Sequence, residues 1–175
     1  MIKRGGAMLM CLTLVVIFSI HAEGKKSRAP VQAKIAWVIE MSRDGGMRPR
    51  KESVRITSDG EITVTSEHRV QGQQVVDCSL KEKLSAEDLL KLKEAVRAAR
   101  YNAWPESYED PKHPVCCDQP TTHLTLQRRT GAGGVPKTFS TSWYPSSSQL
   151  RPADLEKLAA TAQTLWNKTR EHCKE

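Results

Sequence analysis

Between His113 and His123 the chain reads HPVCCDQPTTH, two thiols flanked by two imidazoles. These four side chains are the donor types of a zinc site. The spacing argues against one, because thiolate pairs on a tetrahedral ion are usually separated by two to four residues and Cys116 and Cys117 are adjacent. His123 also alternates with Leu124, which places it on the wet face of a strand. A redox centre would need a Cys-x-x-Cys dithiol, and the chain has none. No metal site is expected, and no cofactor.

The cysteines therefore read as disulfide partners, provided that the compartment is oxidising. The N-terminus bears on this. MIKRGGAMLMCLTLVVIFSIHA has a basic start at Lys3 and Arg4 and an apolar run from Leu9 to Ile20. That run is shorter than the roughly 20 apolar residues of a spanning helix and has the flanks of a secretory signal. Cleavage after Ala22 would start the mature chain at Glu23. The expected organisation is a signal peptide over 1–22, a flexible polar leader over 23–30 and a single domain over 31–175. The expected location is periplasmic or secreted.

Four cysteines then remain: Cys78, Cys116, Cys117 and Cys173. Neighbouring Cα atoms lie about 3.8 Å apart, whereas bridged residues prefer about 4.4–6.8 Å. Cys116 and Cys117 thus each need a distant partner, Cys78 for one and Cys173 for the other. A final helix of about 20 residues would run some 30 Å and carry Cys173 away from the pair. The favoured bond is Cys78 with Cys116 or Cys117.

Other polar groups assemble no recognisable catalytic set. His68 and His172 fall in a turn and at the chain end. Ser146 to Ser148 lack a Gly-x-Ser-x-Gly elbow. Glu106, Glu109, Asp110 and Asp118 share no helical or strand spacing that would fix a carboxylate pair. A non-enzymatic role is expected. The long segment YNAWPESYEDPKHPVCCDQP is the better functional candidate, because long loops are often functional. Tyr101, Trp104 and Tyr108 supply residue types that anchor interfaces or plug a core.

The elements that must position this loop follow from hydrophobic period. Alternation at Ile35, Trp37, Ile39 and Met41 predicts a strand, as do Val54 with Ile56 and Ile62 with Val64 around an Asp59-Gly60 turn. HRVQGQQ reads as a polar loop, and Val76, Cys78 and Leu80 as a fourth strand. Ser85 followed by Asp88 predicts a helix start, with Leu89, Leu92, Val96 and Ala99 as its stripe. Leu124 with Leu126, then Phe139, Thr141 and Trp143, predict a second hairpin. Pro152 suits a helix N1 position, and Leu155, Leu158, Ala162, Leu165 and Trp166 complete a final helix. The fold class is α+β, ordered ββββ-α-ββ-α. An antiparallel sheet of five to six strands would have both helices packed on one face.

The net charge is +7, falling to +5 without Lys3 and Arg4. Basic residues are interspersed with acidic ones, without the basic stripe and aromatic partners of a nucleic-acid surface. Neither nucleic acid nor, beyond the signal peptide, a membrane is an expected partner.

A first strand ending at Gly45-Gly46, a turn at Asp59-Gly60, the helix LSAEDLLKLKEAVRAARYNAWPESY and then strand, strand and helix resemble emfourin-like proteins over roughly residues 33–166. The same layout also resembles exported bacterial proteins of unknown function. Emfourins are small bacterial inhibitors of thermolysin-like metallopeptidases. The resemblance implies a protein-binding or inhibitor-like module and, with export read from the N-terminus, another exported protein such as a peptidase as partner. No inhibitory residue carries over. The alternative is a small envelope protein, structural or metal-buffering through the His/Cys loop.

Overall fold

The computed structural model describes residues 35–45, 50–109, 119–131 and 133–173. These fall within one compact unit, 33–175. The expected signal peptide and leader lie outside the described residues, as do His113, Cys116, Cys117, Asp110 and Asp118.

Seven strands form a single sheet: β1 (Ile35–Asp44), β2 (Arg50–Thr57), β3 (Glu61–Val70), β4 (Gln73–Lys83), β5 (Ser107–Tyr108), β6 (Thr121–Thr130) and β7 (Lys137–Trp143). Their order is β4-β3-β2-β1-β6-β7-β5. All pairings are antiparallel except β5 with β7. The sheet is thus mixed and larger than the five or six antiparallel strands expected. The extra strand is two residues long and carries no alternation that a sequence pattern could register.

The register stacks apolar residues into rows that cross the strands. Ile62, Ile56, Ile39 and Leu126 form one row, and Val64, Val54, Met41 and Leu124 the next. All eight are buried. Helices α1 (Ala86–Ala98) and α2 (Ala153–Arg170) cover this face, and Leu92, Val96, Leu155, Leu158 and Trp166 complete one core with it. The opposite face carries Ser42, Ser53, Thr65 and His123 and is wet, as one-sided burial of an antiparallel sheet requires.

Local signals explain the element ends. The Ser85 hydroxyl accepts from the Asp88 N–H at 3.1 Å, capping α1. Gly60 has φ +87°, and the Leu89 side chain packs on it so closely that a Cβ there would lie 3.1 Å from Cδ2. HRVQGQQ is not a loop but a hairpin. Gln71 and Gly72 both have positive φ, +50° and +83°, the backbone of a tight two-residue turn. Pro152 caps α2 rather than occupying its first turn, its carbonyl accepting from the Glu156 N–H.

The two helices also ferry the chain across the sheet. After β4, at one edge, α1 leads to β5, at the other. Leaving β7, α2 returns to the β4 edge. Eighteen residues span about 27 Å of helix, and six strands about 24 Å of sheet, so α2 reaches from one side to the other. Among the described residues no helix is long and apolar enough to cross a membrane.

Candidate functional site

The crossing of α2 decides the disulfide. Cys78 is bonded to Cys173, with Cα atoms 5.8 Å apart. This overturns the expected bond of Cys78 to Cys116 or Cys117. A helix that carries Cys173 far from its own start delivers it to the β4 edge. Cys78 lies opposite Ser66, on the helix-covered side of β4. His172 beside it contacts Glu82 at 2.7 Å. A bulge at Asp77 shifts the register, so that Val76 opposes Glu67 and is 56% exposed instead of sharing the inner face.

His123 lies on the wet face as its alternation predicts. Its Nε2 meets Asp44 Oδ1 at 3.2 Å. Ser42 and Ser142 are its cross-strand neighbours, which brings serine, histidine and aspartate types together. The Ser142 hydroxyl is turned the other way and donates to the Glu106 carbonyl at 3.3 Å. Among the described residues no three His, Cys, Asp or Glu side chains converge as metal ligands.

The aromatic segment after α1 is partly ordered by a 3-10 turn at Tyr101–Ala103 and by β5. Its three aromatics have different surroundings. Tyr108, paired with Trp143 along the edge of β7, is buried in the core, and its phenol pKa is raised by burial and by the nearby Asp154 charge. Trp104 is half-buried, and its indole N–H donates to Asp154 at 3.4 Å. The same carboxylate accepts from the Arg100 backbone N–H at 2.6 Å, and its side chain is only 12% exposed. Burial alone would raise the Asp154 pKa. Hydrogen bonds from the backbone N–H groups of Arg100 and of Asp154 itself and from Trp104, with the Arg100 charge, outweigh burial and hold it below the ordinary value. Asp154, in the first turn of α2, is therefore the clamp of the segment. Sequence spacing had no means of showing this, because it acts over 50 residues or more.

Tyr101 is the aromatic left facing a groove. Its ring packs on Phe139 with centroids 4.4 Å apart and on the Arg128 guanidinium at 4.7 Å. Arg128 also donates to the Tyr101 hydroxyl. Phe139 and Arg128 come from neighbouring strands, while Tyr101 closes over them from the end of α1. The groove they line, about 290 Å³, continues past Lys137 to Val135, which is 85% exposed. It combines apolar ring faces with two cations, a setting for an apolar side chain beside a carboxylate. As groove residues neither Arg128 nor Phe139 is legible in the sequence, where Phe139 marks only the apolar face of a strand and Arg128 is one basic residue among many.

No protein-family model matches the chain, and no curated protein matches it.

Proposed function

We propose that this chain is an exported, non-enzymatic module that binds another protein, in the manner of the peptidase inhibitors its sequence resembles. The observation that supports this reading most is the Tyr101–Phe139–Arg128 groove. Its walls are rigid rings and a stacked guanidinium, mounted on strands and clamped through Asp154. Tyrosine and arginine are favoured binding anchors, and anchors held in place before binding lose less freedom on binding. The Cys78–Cys173 bond is compatible with export, since disulfides persist in oxidising compartments.

The test is titration of the purified protein against a panel of thermolysin-like and unrelated peptidases. Dose-dependent inhibition that saturates at one equivalent, and that weakens when Tyr101 is replaced by Ala, is the expected result. Inactivity across the panel, together with stoichiometric zinc in protein from the native host, would favour the metal-buffering alternative.

A further inference from the structure

The groove adjoins a second feature. Strand β5 pairs with β7 only at Ser142 and Trp143, so the outer side of β7 from Lys137 to Thr141 meets no strand among the described residues. The Ser142 N–H donates outward to the Glu106 carbonyl at 3.0 Å. Backbone groups alternate sides along a strand, so the N–H and C=O of Ser140 and Thr138 also point outward. Both residues are exposed. A row of unpaired donors and acceptors at that spacing is chemically complementary to another extended polypeptide.

We propose that β7 accepts an extended peptide segment of its protein partner by strand addition, with an acidic residue of that segment read by Lys137 and Arg128. The proposal rests on the protein-binding reading above and gives it a mode and a partner chemistry. The backbone of Thr138 and Ser140 supplies sequence-independent hydrogen bonds. Specificity comes from the helix-covered side, where Lys137 stands opposite Arg128 and the Tyr101–Phe139 rings offer an apolar contact. Charge favours an acidic segment, because Arg128 and Lys137, cross-strand partners, place two cations side by side along the groove. The other long edge is unsuited. Strand β4 carries a bulge at Asp77, the charges Lys81, Glu82 and Lys83, and the C-terminal turn bonded to Cys78, all devices that discourage pairing.

The probe is a terminally blocked decapeptide alternating valine and threonine, with one central glutamate, titrated into the purified full chain. Binding is followed by fluorescence anisotropy and by amide NMR shifts. Saturable binding with shifts centred on Thr138 and Ser140 is expected. It should be lost when alternate amides of the peptide are N-methylated. Ser140→Pro removes an outward donor that the β6 ladder does not use and should weaken binding more than about tenfold. Ser140→Ala, which loses only the hydroxyl contact to Thr125, should bind as the unmodified chain does. Lys137→Glu should weaken the glutamate peptide about two- to fivefold and favour a lysine-substituted one. Binding that survives Ser140→Pro and N-methylation would overturn the proposal. So would a concentration-dependent dimer abolished by Ser140→Pro, which would assign the edge to a second copy. Peptidase inhibition undiminished by Ser140→Pro would sink strand addition while leaving the protein-binding reading intact, whereas absence of any protein partner would sink that reading.

Discussion

Strands β4 and β7 stand on opposite sides of one sheet, and among the described residues each has a length of outer backbone without a strand partner. They differ in what guards it. On β4 the guard is built in several ways at once: a bulge, three consecutive charges, and a disulfide that fastens the end of α2 beside the strand. On β7, among the described residues, only the two residues of β5 cover one end, and the remainder presents Ser, Thr and a single Lys beside an aromatic groove. Edges invite pairing with other chains unless it is prevented. One edge of this protein is thus closed and the other receptive, and the asymmetry comes from where α1 and α2 cross.

Opening the guarded edge should have the largest effect. The Cys78–Cys173 bond closes a separation of 95 residues. In the chain-entropy model such a constraint stabilises by about 4.7 kcal/mol, before any native strain is subtracted. Reduction, or Cys173→Ser, should lower the denaturation midpoint and raise amide exchange along β4 more than along β7. Equal exchange at both edges would break the comparison.

Core truncation should loosen both edges together. Leu92→Ala or Leu158→Ala removes a fully buried side chain and should cost about 2–5 kcal/mol in a urea titration. Protection of β4 and β7 should fall in parallel, because both strands hang on the same core.

Asp154 should act on the receptive side alone. Its Ala variant leaves the Arg100 N–H and the Trp104 indole without their acceptor and should cost about 1–3 kcal/mol. The pH dependence has a definite sign. Because the folded pKa lies below its ordinary value, the stabilisation is present above the unfolded pKa of about 3.9. It is lost as pH falls through the lower folded value. Tryptophan emission should therefore shift at acid pH before global unfolding, and Asp154→Asn should abolish that early shift.

The smallest effect is expected at an exposed site on the guarded edge. Val76→Lys should change stability by no more than about 0.5 kcal/mol, because Val76 is already out of the core. A large loss would mean that the bulge at Asp77 misassigns its face.

The helices and most strands were legible because their signals are local. Ser85 and Asp88 are three residues apart, and the capping bond joins those two residues. Alternation at Trp37, Ile39 and Met41 reports one buried face directly. The hairpin at Gln71-Gly72 is not legible in the sequence because its flanking strands are wet on both faces near the turn and show no apolar alternation. Nor is strand β5, because two residues define no period. Of the aromatic segment, Tyr101, Trp104 and Tyr108 were visible as a set, yet their division into a groove wall, a clamped plug and a core residue was not.

By itself the sequence determined which faces are apolar, where α1 begins and that the fold is α+β. Only the tertiary structure decided that Cys78 takes Cys173, that Asp154 clamps Trp104, and that β7 rather than β4 keeps an open edge. The physical reason is range. Periods and caps act between residues a few positions apart, whereas a disulfide over 95 residues and a carboxylate acting over 50 depend on where an 18-residue helix lands after it has crossed the sheet.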